Sequence, residues 1–196
     1  MKRRTLYFAA VLLLLIVGIN FGIINSLKKE DICNGSLSNY KKLGEVRHLG
    51  WVVRDIHKTA EYWEKNGLPE IKIRENVYLH RGVYRGKQMD AYVHSGSTEL
   101  EGMVIEFFQP VKGESAFSEY LKKHGEGVHH LAFEMNSHDE LEKEVAKWKK
   151  MGINIQAEGA WETKYGKARF VYIDTEPVGG LVFEFGYFPK AEKNKE

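Results

Sequence analysis

Two histidines and two glutamates fall where an extended apolar chain leaves a polar group few partners. In MVIEFF, residues Val104, Glu106 and Phe108 share one face, and in LVFEF Val182 and Glu184 do the same. An ionised carboxylate on such a face costs several kcal/mol, roughly, unless it is paired or bound to a metal. His48, flanked by Val46, Gly50 and Val52, and His130, flanked by Val128 and Ala132, occupy comparable settings. His48 precedes Glu106 by 58 residues and His130 precedes Glu184 by 54, so each half of the chain supplies one imidazole and one carboxylate at nearly the same spacing. Two such halves about a pseudo-twofold axis would bring all four to one centre. A His2Glu2 set suits one divalent ion of Zn, Mn, Co, Ni or Fe(II), rather than Ca or a soft metal. The sequence leaves open whether that centre closes within one chain or is exchanged between the chains of a homodimer.

The elements that must hold these residues repeat. EVRHLGWVV from Glu45 is followed by Asp55 as a helix N-cap, by Ile56, Ala60 and Trp63 on one helical face, and by Gly67 as terminator. GVHHLAFEM from Gly127 is followed by Ser137 as cap, by Leu141, Val145 and Trp148 on one stripe, and by Gly152. Three strand-like runs follow each helix: Glu70 to Tyr78, Gln88 to Val93 and Met103 to Phe108, then Ile153 to Ala157, Ala168 to Asp174 and Leu181 to Tyr187. The expected fold is therefore α+β, with two βαβββ modules (43–110 and 127–188) forming a curled eight-stranded mixed sheet. A short helix at 115–124 joins the modules, and a charged tail follows at 189–196. Strand alternation puts His129 on the face opposite His130, in a structural role. His57, His80, His94, His124 and His138 read as surface residues, and the four tryptophans as packing between helices and sheet.

Charge narrows the partners. The formal charge is +2, but residues 1–27 hold Lys2, Arg3 and Arg4 and no acid, so the remainder carries 26 bases against 27 acids. No basic face for nucleic acid is indicated. Thr5 to Leu27 contains 23 uncharged residues, a helix of roughly 34 Å, enough for a bilayer. This predicts a single-pass membrane anchor over 5–27, a polar tether at 28–42 and, from the basic residues ahead of the span, a domain outside the cytoplasm. The alternative is secretion after cleavage of a signal peptide. Cys33 is the only cysteine and forms no internal disulfide.

From Glu45 to Phe188 the sequence resembles the vicinal oxygen chelate superfamily, which includes glyoxalase I, methylmalonyl-CoA epimerase and extradiol dioxygenases. The stretches IEFFQPVKGESAFSEYLKKHGEGVHHLAFEM (105–135) and GGLVFEF (179–185) are most similar to the epimerase branch. The resemblance implies metal ligation by His48, Glu106, His130 and Glu184. It also implies a second acid on a first-half strand, for which Asp90 in DAYVHSG is the candidate when gaps are allowed. The expected function is metal-dependent proton transfer next to a carbonyl, of epimerase, isomerase or glyoxalase type, on a small bidentate oxygen substrate, with Glu184 as ligand and base and Asp90 as second acid or base. Two other readings are an anchored, non-catalytic small-molecule binding protein and an Fe(II) ring-cleaving dioxygenase.

Overall fold

The computed structural model describes residues 43–177 and 179–190. The first half runs β1 (Glu45–Val52), α1 (Ile56–Lys65), β2 (Lys72–Leu79), β3 (Gly82–Tyr84), β4 (Lys87–Gln88), β5 (Ala91–Leu100) and β6 (Met103–Lys112). Helix α2 (Ala116–His124) leads into β7 (Gly127–Glu134), α3 (His138–Lys150), β8 (Ile155–Thr163), β9 (Gly166–Ile173) and β10 (Val182–Tyr187).

The helices begin where the chain offers side-chain oxygens to unpaired backbone donors. Asp55 accepts from Lys58 N at α1, Ser137 accepts from Glu140 N at α3, and Ser115 and Ser118 form a reciprocal capping box at α2. Helix α1 buries Ile56 and Ala60 against Ile71, Ile105 and Phe107 of the first half. Helix α3 buries Leu141 and Val145 against Val171, Ile173 and Phe185 of the second. A fully buried aliphatic side chain such as Ile56 or Leu141 contributes about 1.5–3 kcal/mol. A third cluster, with Val52, Tyr84, Phe117, Tyr120 and Tyr172, fills the opposite side of the sheet beneath α2.

The sheet order is β2-β5-β6-β1-β7-β10-β9-β8-β3-β4. Within each half the first and last strands pair in parallel, β1 with β6 and β7 with β10, and the halves join through antiparallel β1 and β7. The expected count of eight strands is corrected to ten among the described residues. The extra pair is the β3-β4 hairpin, which turns at Arg85 and Gly86, both with positive φ (45° and 77°), the requirement of a type I′ turn. It leaves its own half and docks on β8, pairing Gly82 with Gly159 and Tyr84 with Ala157. A three-residue strand with Arg where such turns favour Asn has little sequence signal, and its partner lies over seventy residues away.

The expected membrane anchorage, and with it an extracytoplasmic or secreted domain, is also corrected. Among the described residues no helix is long and apolar enough to cross a membrane. Helix α3, with 13 residues, spans only about 20 Å. Residues 5–27, on which the expected span falls, lie outside the described residues.

Candidate metal centre

Strand register brings the polar residues together. Across the middle of the sheet, Glu184 of β10 stands opposite Ala132 of β7, which stands opposite His48 of β1. In the adjacent row His130 stands opposite Gly50, and Gly50 opposite Glu106 of β6. Small residues therefore alternate with polar ones, and the long side chains converge over them. Gly50 is the decisive gap: a Cβ there would lie 1.9 Å from His130 Cε1. The imidazole of His130 thus occupies the volume that any other residue at position 50 would fill.

Three of the donors meet within one chain. His48 Nε2 lies 3.1 Å from His130 Nε2 and 3.1 Å from Glu184 Oε2, and His130 Nε2 lies 3.2 Å from the same oxygen. Glu106 Oε2 is set back at 3.7 Å from His48 Nε2, and its side chain is 37% exposed where those of His48 and Glu184 are 5% exposed. His130 is fully buried. Asp90 is not brought to this group. It is exposed and lies outside the strands. Along β5 it precedes Ser97, the partner of Glu106, by seven residues, a separation of roughly 23 Å in an extended strand.

The donor set fits a divalent cation. Two imidazole nitrogens and a carboxylate oxygen form a near-equilateral triangle with edges of 3.1–3.2 Å. Bonds of about 2.0–2.2 Å from such atoms to one ion, set at right angles, give an edge of roughly 3.0 Å. Electrostatics point the same way. Burial pushes the Glu184 carboxyl up, but hydrogen bonds and charge from His130 and His48 outweigh it and hold the group down at about 2. Burial opposes protonation of His48, yet the hydrogen bond and charge of Glu184, with the charge of Glu106, raise its pKa above the ordinary 6.5. Below that raised value, a cation that binds here displaces a proton from His48. Cobalt affinity is expected to fall as the pH is lowered through the neutral range, with proton release measurable by calorimetry in buffers of different ionisation enthalpy. An affinity flat from about pH 5.5 to 8 would contradict this displacement.

His129 lies on the same side as His130, not on the opposite face that alternation predicts. Gly50 pairs with His130 and Trp51 with Val128, which leaves His129 as the extra residue of a β-bulge. Its Nδ1 lies 2.8 Å from His130 Nδ1, and it is completely buried. Burial, then the neighbouring His130, push its pKa well below the ordinary value. The adjacent pair of histidines was visible in the sequence, but the bulge that aims both inward was not. Tyr172, opposite Glu184 on β9, closes the site with its ring 4.9 Å from that of His130. Its hydroxyl is pushed well up by burial and then by the charges of Glu184 and Glu106.

Residues 47–172 match the Glyoxalase/Bleomycin resistance protein/Dioxygenase superfamily, the span that contains His48, Glu106 and His130. The chain belongs to this superfamily. The fold of this superfamily member is similar to that of a hypothetical protein from Bacillus halodurans C-125, at 20% identity and a TM-score of 0.53, covering 78% of this chain and 100% of that one. It is also similar to a variant of Streptomyces coelicolor methylmalonyl-CoA epimerase in complex with 2-nitronate-propionyl-CoA, at 20% identity and a TM-score of 0.52, covering 74% and 95%. At these identities the likeness speaks for the fold alone. No curated protein matches the sequence.

Proposed function

We propose that this superfamily domain is a metal-dependent enzyme that moves a proton next to a carbonyl, in the manner of an epimerase, isomerase or glyoxalase. The observation that carries the reading is the triangle of His48, His130 and Glu184, buried and closed within one chain, with a fourth, more accessible carboxylate beside it. His48, His130 and Glu184 would hold the ion, with Glu106 completing the set. A divalent ion supplies a Lewis acid that polarises a substrate carbonyl and acidifies the neighbouring C–H. Glu184, hemmed by both imidazoles and held at about 2, is a weak base and serves as ligand. Glu106 is on the solvent side of the group and is placed to exchange a proton with a substrate arriving there. Asp90, exposed and just ahead of the strand that pairs with β6, takes no direct part in the transfer. Substrates with two neighbouring oxygens, hydroxy-ketones and carboxylated thioesters among them, suit the donor set, and the fold shared with a methylmalonyl-CoA epimerase favours the thioesters.

The test is elemental analysis of the purified full chain after expression with Ni, Co, Mn and Zn supplied, followed by exchange of the substrate α-proton for deuterium. About one ion per chain is expected. Glu106→Gln should then slow exchange by about 10²–10⁴ with the fold intact. A chain without stoichiometric metal would overturn the proposal. A second reading has one observation in its favour: the tightest group is two histidines and one carboxylate, a set that also serves Fe(II) oxygenases. Oxygen uptake with catechols would decide for it.

A further inference from the structure

The four tryptophans do not share one role. Trp51 and Trp63 pack on Phe107 where α1 meets the sheet, and Trp148 of α3 packs on Phe183 and Phe185. Trp161 lies on the other face of the sheet, the face of the metal centre. It follows Ala157 and Gly159 along one side of β8, and these two stand opposite Tyr172 and Phe170 of β9. Tyr172 packs against His130; Phe170 lies 5.2 Å from Tyr172, Trp161 6.2 Å from Phe170 and Phe188 6.0 Å from Trp161, all between ring centroids. A row of rings thus begins at the centre and runs outward, buried at Tyr172 and half-buried at Phe170, Trp161 and Phe188. Two glycines make room for it. A Cβ on Gly159 would run into the Phe170 ring, and one on Gly186 into the Phe188 ring, so both rings lie down on bare backbone. Gly186 is two residues beyond Glu184 on the same face of β10, roughly 7 Å away. Arg47, paired with Glu134, lies over the Phe188 ring with Cζ 4.2 Å from its centroid. The first half presents the opposite character on the same face: Ser97 stands opposite Glu106, and the exposed Lys72 opposite Ser97.

We propose that Phe170 and Trp161, braced by Phe188, seat an aromatic substituent that the substrate carries beside its two chelating oxygens. The inference names the substrate class for the function proposed above and rests on that reading for the oxygens. An aromatic group gains here twice. It buries apolar area against half-exposed rings, as an aliphatic chain also would, and it adds the offset and edge contacts that only ring pairs make. The substrates favoured are then aryl-substituted hydroxy acids, hydroxy-ketones or thioesters, with the polar remainder turned toward Ser97 and Lys72.

The test compares mandelate with lactate, which offer the same hydroxyl and carboxylate oxygens and differ only in a phenyl for a methyl group. Each is titrated into the cobalt-loaded full chain and read by the visible absorption of the bound ion. Mandelate is expected to bind about 10- to 100-fold more tightly, and Trp161→Ala to reduce that preference by about 10-fold. Equal affinities in the parent, or an unchanged preference in a folded Trp161→Ala chain, overturn the inference. Should Trp161→Ala fail to fold, the preference of the parent decides. A chain that takes up no cobalt removes the proposed function instead, and the aromatic wall is then read by itself. Saturation-transfer NMR on the metal-free chain is expected to reach the phenyl protons of mandelate, and its absence overturns the inference.

Discussion

Gly50→Ala is expected to abolish metal binding while changing a single methyl group. The added Cβ would lie 1.9 Å from His130 Cε1 and 2.3 Å from both ring nitrogens. The ring has no room to retreat. Its Nδ1 is held by His129, and Tyr172 and Phe117 pack against it with centroids at 4.9 and 6.3 Å. Either His130 is expelled from the triangle or β1 and β7 separate at the centre of the sheet. Overpacking of this kind costs about 1–3 kcal/mol in well-packed cores, and the contact here places the expectation at the upper end. Loss of a ligand exceeds the loss of a ligand's supporting partner, so cobalt affinity should fall by more than ~100-fold. Cobalt titration with urea unfolding measures both effects. A variant that binds cobalt like the parent would show that His130 does not belong to the centre.

Glu184→Gln keeps the shape of the side chain and removes its charge. The expected result is a loss of cobalt affinity of more than ~100-fold, because the amide offers a neutral oxygen in place of the carboxylate that both imidazoles face. Its second effect concerns acid stability of the metal-free chain. The folded pKa of Glu184, about 2, lies below the ordinary 4.5. Such a group contributes stability fully above the unfolded value and loses it as the pH falls through the folded one. Its contribution is therefore present above about pH 4.5 and disappears toward pH 2, with an amplitude of roughly 3 kcal/mol. In Glu184→Gln that portion of the pH profile should be flat and the chain less stable at neutral pH. Urea midpoints measured from pH 2 to 7 read it directly, and parallel profiles for parent and variant would rule out the buried ion pair.

Much of the frame was legible in the residues. The caps Asp55, Ser115 and Ser137 and the stripes Ile56, Ala60 and Leu141, Val145 mark three helices, because capping and burial are local and periodic. The similar spacing of His48 with Glu106 and of His130 with Glu184 marked four residues, of which the structure groups His48, His130 and Glu184, with Glu106 3.7 Å from His48. The β3-β4 hairpin escaped notice because its strands are too short for periodicity and its partner strand, β8, belongs to the other half. Asp90 falls between the β3-β4 hairpin and β5, outside the strand whose Ser97 stands opposite Glu106, a position that no local pattern in DAYVHSG marks.

By itself, then, the sequence determined the duplicated helices, the strands that carry the polar residues, and the chemical types of the donors, all of which depend on neighbours within a few positions. Only the tertiary structure decided that His48, His130 and Glu184 meet within one chain, that Gly50 vacates the space for His130, and that His129 turns inward. Those depend on which residue lies opposite which across strands distant in sequence, and a bulge of one residue reverses the facing that alternation alone would assign.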